Sequence, residues 1–245
     1  MLIIKSSAFK NHPELIFGFS TKIGLQRDEP FHFNMSLSVD DDKDKVLKNR
    51  EVFFNALGLK PENVALQKQV HGTNITIVNN GGLYNDSDAL ITTEKGIGLG
   101  ASSADCVTIF LFDPVKKVVA AVHSGWRGTA KKILSVTLNK LKDEFNSSPR
   151  DLISFIGPSI SRKHYEVGAE VAGQFDKKYL LPKEDKFLLD VSAVNYDILL
   201  NYGVKKGNIE ISQLCSFKEK YLLHSYRRDG KISGRALGVI AMNAS

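Results

Sequence analysis

Three side chains that could bind a metal or move protons lie in separate segments of the 245-residue chain: His71 in QVHG, Cys106 in SADC and His123 in AAVH. Two imidazole nitrogens and one thiolate suit zinc, and three protein ligands leave a fourth position for water or a reactant. A His or Cys on a strand is, however, more often a packed core residue. The residue types alone leave both interpretations open.

A predicted β-hairpin relates two of these residues. The apolar runs CVTIFLF and VVAAVH are separated by residues 113–116, whose Asp-Pro start is typical of a type I turn. If Phe112 pairs with Lys117 across a four-residue loop, Cys106 lies directly opposite His123. Side chains opposed in this way are about 5 Å apart on one face, close enough to share a metal or a proton. A slip of one residue in the loop would weaken this prediction.

The segment SGWRG follows His123 and is a candidate substrate-binding turn. Gly125 and Gly128 allow the backbone to approach a ligand closely, and the N-H groups that open the next helix favour an anion. Arg127 could then bind a phosphate there. The alternative is a tight structural turn in which Trp126 packs and Arg127 is solvated.

The first half of the chain predicts elements that position these residues. Apolar residues at helical spacing within residues 40–59 predict an amphipathic helix that ends at Gly58. VALQKQVHG and TNITIVNN predict two short strands about Gly72, with His71 at a strand end. A further helix is predicted over residues 131–145, after the glycine-rich turn.

The second half predicts a strand in LISFIGPSI, helices over residues 166–179 and 192–202, and terminal strands in LLHSYRR and ALGVIAM. Strands and helices are mixed without regular βαβ alternation, which favours the α+β class. No Pro-rich or Gly/Ser-rich linker divides the sequence. We therefore predict a single domain over residues 1–245.

Composition limits the classes of protein that the chain could belong to. Hydrophobic residues make up 42% and charged residues 24%, and no apolar run approaches the length of a membrane span. The first residues lack the features of a secretory signal, which predicts a cytoplasmic protein. Two cysteines make a structural disulfide improbable. The net charge of +6 is scattered along the chain, which favours an anionic substrate over nucleic acid.

Six motifs, spread over most of the chain, are similar to those of one known family. They are QVHG (69–72), SDALIT (87–92), SADC (103–106), AAVHSGWRG (120–128), IGPSI followed by YEVG, and SYRRDG followed by SGR. Together they resemble the bacterial laccase-domain family, described as purine nucleoside phosphorylases and earlier as polyphenol oxidases or multicopper oxidases. The family's zinc ligands then correspond to His71, Cys106 and His123. The chain departs from the family pattern in SADCVT, where TADCVP is frequent, and at Ser124, where Ala is common.

The resemblance implies a fold and an activity. The fold would be layered α/β/β/α, similar to the catalytic domain of cytotoxic necrotizing factor. The activity would be zinc-dependent phosphorolysis of adenosine, inosine, guanosine and methylthioadenosine, with associated adenosine deamination. Its partners would be a purine nucleoside and phosphate, and neither nucleic acid nor a membrane. We expect a monomer or a small homo-oligomer.

Two other activities are considered. A copper-dependent polyphenol oxidase would need many histidines, often in His-x-His pairs, whereas this chain has six histidines and no such pair. A Cys-His amide hydrolase, using Cys106 and His123 without a metal, follows from fold analogy alone. The usual zinc deaminase pattern of His-x-Glu with Pro-Cys-x-x-Cys is absent, so deamination would use a different set of residues.

Overall fold

The computed structural model describes residues 1–244, and Ser245, the last residue of the predicted domain, lies outside the described residues. The strands are β1 (Ile3–Ile4), β2 (Leu15–Ser20), β3 (Val64–Gln67), β4 (Ile75–Ile77), β5 (Gly82–Tyr84), β6 (Ala89–Thr92), β7 (Gly98–Ser103), β8 (Val107–Asp113), β9 (Val118–Ser124), β10 (Ile153–Ile156), β11 (Glu166–Val167), β12 (Leu180–Lys183), β13 (Lys186–Leu189), β14 (Ile209–Ile211) and β15 (Ala236–Met242). The α-helices are α1 (Lys43–Ala56), α2 (Trp126–Ala130), α3 (Ile133–Phe145), α4 (Ala169–Ala172), α5 (Val191–Tyr202) and α6 (Tyr226–Asp229). Single 3-10 turns occur at Pro61–Asn63, Arg162–His164, Lys177–Tyr179, Lys206–Asn208 and Gly230–Ile232.

The strands form three sheets. Sheet 1 has the order β1-β2-β15-β7-β3-β5, sheet 2 has the order β14-β10-β8-β9-β6-β4, and a small third sheet has the order β11-β13-β12. Both large sheets are mixed. β3 runs parallel to β5 and β7, β10 runs parallel to β14, and β4 runs parallel to β6, while the other strand pairs of these sheets are antiparallel. The predicted α+β class is confirmed as a single domain with mixed sheets.

The two large sheets pack face to face, with helices on both outer sides. Strand β8 shows the arrangement: Phe110 joins a cluster between the sheets with Phe17 and Leu99, whereas Ile109 packs on the opposite face with Leu134 of α3. A third cluster lies between α1 and the outer face of sheet 1. Because both faces of β8 are covered, its central residues 109–112 are all apolar instead of alternating. The layers therefore follow the order helix, sheet, sheet, helix.

Several predicted elements are confirmed. Helix α1 lies within the predicted segment 40–59, begins at the Asp42 cap and ends before Gly58, whose φ of 75° suits glycine. Helices α3 and α5 and strand β15 match the predictions over residues 131–145, over residues 192–202 and in ALGVIAM. None of the helices among residues 1–244 is both long and apolar enough to cross a membrane.

Two element predictions are wrong. The helix predicted over residues 166–179 is strand β11, the short helix α4 and a 3-10 turn, because Glu166 pairs with Leu188 of β13 and Gly168 and Gly173 limit α4. The strand predicted in LLHSYRR is a loop followed by α6, where the Ser225 side chain caps the first turn. In both cases tertiary pairing or capping overrides local β or helix propensity.

The strands about Gly72 are shorter than predicted and belong to different sheets. Strand β3 ends at Gln67 in sheet 1, and β4 begins at Ile75 in sheet 2. His71 therefore lies in the crossover between the sheets instead of at a strand end. Its φ of 60° is in the left-handed region, which non-glycine residues seldom adopt.

The β8-β9 hairpin has the predicted four-residue loop, but the predicted register is wrong. Asp113 pairs with Val118, so the loop starts one residue later and His123 lies opposite Thr108 instead of Cys106. The reason is that the Asp113 carboxylate accepts hydrogen bonds from the first loop N-H groups while its backbone stays in the strand. Relative to the prediction, the residue opposite His123 is shifted by two positions along β8, from 106 to 108. Because side chains alternate between faces with a period of two, Cys106 and His123 remain on the same face of the hairpin.

Candidate active site

The three predicted metal ligands come together at one end of the paired sheets. Their ligand atoms all lie within 4.8 Å of one another. Cys106 Sγ is 4.0 Å from His71 Nε2, and the two imidazole rings are 4.8 Å apart at 84° to each other. Each residue comes from a different segment. His71 lies in the crossover between the sheets, Cys106 directly precedes β8, and His123 is the second-last residue of β9. This group of two imidazoles and a thiolate could bind a metal and leave a position open for a reactant.

Asp88 holds two of the three ligands in place. Its carboxylate is fully buried, and it accepts a hydrogen bond of 2.8 Å from His123 Nδ1. It also accepts from the backbone N-H groups of Val70, His71 and Gly72, at 3.2, 3.0 and 2.7 Å. A proton on Nδ1 of His123 leaves Nε2 free to bind a metal, as an outer carboxylate commonly arranges. The same side chain stabilises the unusual backbone of the His71 loop.

Asp88 was not predicted from the sequence to be part of the site. It lies in the motif SDALIT, directly before the fully buried strand β6. A carboxylate next to a buried strand needs hydrogen-bond donors. An aspartate directly before an apolar strand is therefore the sequence feature that could have indicated a role for Asp88 in the site. Burial alone would raise the pKa of Asp88, but the hydrogen bonds from His123 and Gly72 hold that pKa below its usual value.

Cys106 and His123 shift each other's pKa in opposite directions. Burial alone would raise the pKa of the Cys106 thiol, but the neighbouring His123 and His71 lower it to about 6. Burial alone would lower the pKa of His123, but Cys106 and Asp88 raise it to about 9. Without a metal, the pair is therefore a thiolate beside an imidazolium at neutral pH. The sulfur is already in the form that binds metals or attacks a carbonyl.

The glycine-rich turn leaves room for the three ligands. A Cβ on Gly125 would lie 2.9 Å from Cys106 Sγ and 3.1 Å from His71 Cδ2. Helix α2 already begins at Trp126, so the predicted turn is in fact helical and reaches only to Ala130. Arg127 is exposed, and its guanidinium lies 4.3 Å over the Trp126 ring. The structure thus places Gly125 against the ligands and Arg127 at the solvent side.

A cavity of about 240 Å³ opens beside the three ligands. Gln69, Ser102, Tyr226 and Arg235 line it together with the ligands. Three larger grooves, of about 410, 650 and 520 Å³, lie elsewhere among residues 1–244 and contain none of the three ligands, so chemistry and not volume identifies the site. Tyr226 and Arg235 belong to the motifs SYRRDG and SGR, but the sequence analysis assigned them no role.

The segment that carries Tyr226 is anchored to the site through Asp105. The Asp105 carboxylate accepts hydrogen bonds of 2.6 Å from Ser216 Oγ and 2.6 Å from the backbone N-H of Arg227. Its backbone carbonyl accepts from Ile160 at 3.0 Å. Asp105 adopts a φ of 94°. The residue next to Cys106 therefore fixes the C-terminal wall of the cavity.

The chain is similar in sequence to a known family and to several characterised proteins. A sequence model described as multi-copper polyphenol oxidoreductase laccase matches residues 16–243. A purine nucleoside phosphorylase of Bacteroides thetaiotaomicron is 33% identical, over 86% of this chain and 85% of that protein. Adenosine deaminase RL5, from an unknown prokaryotic organism, is 29% identical, over 96% of this chain and 97% of that protein.

A solved structure agrees with the fold. The crystal structure of YlmD from Geobacillus stearothermophilus superimposes with a TM-score of 0.89, at 30% identity, over 97% of this chain and 94% of that one. The family match covers almost the whole chain, and the fold agrees over the same length. The chain belongs to the multi-copper polyphenol oxidoreductase laccase family, which includes relatives named purine nucleoside phosphorylase.

Proposed function

We propose that this protein is a zinc-dependent purine nucleoside phosphorylase that also deaminates adenosine. Its substrates would be adenosine, inosine, guanosine and methylthioadenosine, together with phosphate. The observation that carries the proposal is the group of His71, Cys106 and His123, in which Asp88 holds both histidines, beside a cavity of nucleoside size. The names of the relatives support the choice of reaction.

The metal in this proposal is zinc, held by His71, Cys106 and His123, with copper as the less favoured alternative. Zinc bound there would act as a Lewis acid on an oxygen of the reactant. In phosphorolysis a phosphate oxygen forms a bond to the anomeric carbon, and the glycosidic bond breaks. The base leaves with the electron pair of that bond and takes up a proton.

We further propose Gly125, Arg127 and Gly128 as substrate-binding residues. Gly125 provides space next to the ligands, and Arg127 supplies an exposed positive charge two residues further along the chain. Arg127→Ala should then raise the phosphate concentration for half-maximal phosphorolysis more than it alters adenosine deamination, which uses water. Equal effects on both reactions would show that Arg127 holds the nucleoside or the fold instead.

A direct assay tests the proposed function. Purified protein is incubated with adenosine or inosine, with and without phosphate, and the products are separated by chromatography. We expect free base and ribose 1-phosphate from inosine only when phosphate is present, and inosine from adenosine without it. Elemental analysis should find about one zinc per chain, as the three-ligand site requires. Several copper ions per chain, or full activity without metal, would contradict the proposal.

A Cys-His amide hydrolase is the second candidate, favoured by the thiolate and imidazolium pair of Cys106 and His123. Such an enzyme would hydrolyse an amide after the metal has been removed, whereas the phosphorylase would lose its activity. The cytoplasmic location, the absence of nucleic-acid binding, the monomeric or small oligomeric state and the likeness to cytotoxic necrotizing factor stay predictions.

A further inference from the structure

Arg235 is a fixed, half-buried cation in the wall of the cavity. It lies directly before β15 and lines the cavity together with the three ligands. Its Nη1 donates hydrogen bonds to the carbonyl oxygens of Ser233 at 2.7 Å and Gly234 at 3.0 Å. Its backbone N-H donates to Asn34 Oδ1 at 2.9 Å. These contacts hold the guanidinium in one place and leave Nε and Nη2 without an acceptor in the described part of the chain.

No carboxylate of residues 1–244 forms an ion pair with Arg235. Other arginines near the site are engaged differently. Arg228 forms an ion pair with Asp229 at 2.7 Å, and Arg227 donates to the carbonyl of Glu166 at 2.8 Å. The charges of Cys106 and Asp105 act on Arg235 from a distance. Neither side chain accepts a hydrogen bond from its guanidinium, so the free donor groups stay available to an anionic ligand.

Gln69, Ser102 and Ser103 of the cavity wall make hydrogen bonds to their own neighbours. Gln69 Oε1 accepts hydrogen bonds from the backbone N-H and the hydroxyl of Ser102, both at 2.8 Å, and its Nε2 donates to the Ser102 carbonyl at 3.0 Å. The hydroxyl of Ser103 donates to the Cys106 carbonyl at 2.5 Å. Arg235 is therefore the cationic wall residue that retains hydrogen-bond donors for a ligand, beside the hydroxyl of Tyr226, which makes no hydrogen bond within residues 1–244.

We propose that Arg235 binds the inorganic phosphate that enters the reaction, through its Nε and Nη2 groups. A planar guanidinium offers two parallel N-H donors that match the oxygens of a phosphate. The Tyr226 ring lies 5.5 Å from this guanidinium and limits its movement. The proposal rests on the proposed phosphorylase function and assigns the phosphate site within it to a residue of the cavity wall, which the exposed Arg127 does not line.

The test compares Arg235→Gln and Arg235→Lys with Arg150→Gln, a matched control at an exposed arginine in the turn before β10. Inosine phosphorolysis is measured over a range of phosphate concentrations, and phosphate binding without nucleoside is measured by isothermal titration calorimetry. A hydrogen-bonded charge pair of this kind is worth about 10-fold to 100-fold in affinity. We expect Arg235→Gln to raise the KM for phosphate by about that factor, with a smaller change in the KM for inosine. The control should keep the wild-type KM for phosphate.

The Lys variant keeps the charge but loses the planar pair of donors, so its KM for phosphate should lie between those of the wild type and the Gln variant. If Arg235→Gln does not fold, as judged by its melting curve, the Lys variant decides the question. An unchanged KM for phosphate in the folded variants would overturn the assignment and leave the phosphorylase proposal intact. The wild type could also bind phosphate without showing phosphorolysis. If Arg235→Gln then loses phosphate binding, Arg235 is an anion site and the proposed phosphorylase function is wrong.

Discussion

Asp88→Asn is the substitution that tests most sharply how the site is held together. The two carboxylate oxygens accept four hydrogen bonds: Oδ1 from His71 and His123, and Oδ2 from Val70 and Gly72. An asparagine has one acceptor oxygen, so in either orientation about two of the four donors would face an NH₂ group. Each buried donor left without a partner costs about 1–3 kcal/mol, which gives a loss of roughly 2–6 kcal/mol in the free energy of unfolding.

The same substitution should weaken metal binding. Loss of an outer carboxylate that orients a ligating histidine typically lowers metal affinity by about 10-fold to 100-fold. We therefore expect Asp88→Asn to release zinc to a competing chelator at a correspondingly lower chelator concentration. Urea unfolding of the metal-loaded and metal-free proteins separates the loss of binding from the loss of stability.

Asp113→Asn is the matched control for this experiment. Asp113 is another fully buried carboxylate that accepts backbone hydrogen bonds, but it holds the β8-β9 loop at the end of the hairpin away from the ligands. Both loop N-H groups donate to one oxygen, which asparagine keeps, so Asp113→Asn should lower stability less than Asp88→Asn and leave zinc affinity unchanged. If Asp88→Asn keeps the zinc affinity of the wild type, or if both variants lose it equally, the argument that Asp88 orients His123 is wrong.

Three further predictions concern single residues. Cys106→Ser should lose most of the bound zinc in elemental analysis, whereas Cys215→Ser, at the other free thiol, should retain it. Gly125→Ala places a Cβ 2.9 Å from Cys106 Sγ and should lower zinc occupancy and turnover. Gly168→Ala, where nothing lies within 4 Å, should leave both at wild-type values. His224 is buried without a hydrogen-bond partner in the described residues, and burial holds its pKa well below the usual value. Because the unfolded chain takes up this proton near pH 6.5 and the folded protein does not, stability should fall as the pH drops below about 6.5, by up to about 1.4 kcal/mol per pH unit. Urea unfolding at several pH values should show a flatter dependence for His224→Leu, and an unchanged dependence would rule out His224 as the cause.

Local sequence patterns were sufficient to predict one helix, one hairpin and the three candidate ligands. The spacing of apolar residues in α1, with the Asp42 cap and the glycine at 58, was sufficient to predict that helix. The Asp-Pro turn between two apolar runs predicted the β8-β9 hairpin. The three candidate ligands could also be named, because histidine and cysteine in short polar or glycine-flanked motifs are unusual enough to stand out. The six motifs were sufficient to identify the family.

The register of that hairpin could not be predicted from the turn residues alone. The turn residues indicated a four-residue loop but not the strand position at which it begins. That position depends on the Asp113 side chain, which takes up two loop N-H groups. The prediction that Cys106 shares a face with His123 held only because the error was an even number of residues.

Tertiary structure alone decided how the site is completed. His71 reaches Cys106 because β3 and β4 belong to different sheets, so the chain must cross between them at that point. Arg235 reaches the cavity because β15 pairs with β7, which places Ala236 opposite Ser103 although they are far apart in sequence. Asp88 acts on both histidines because the crossover loop folds back onto it. Strand pairings between distant segments depend on the packing of the whole core, and the local pattern of residues does not encode them.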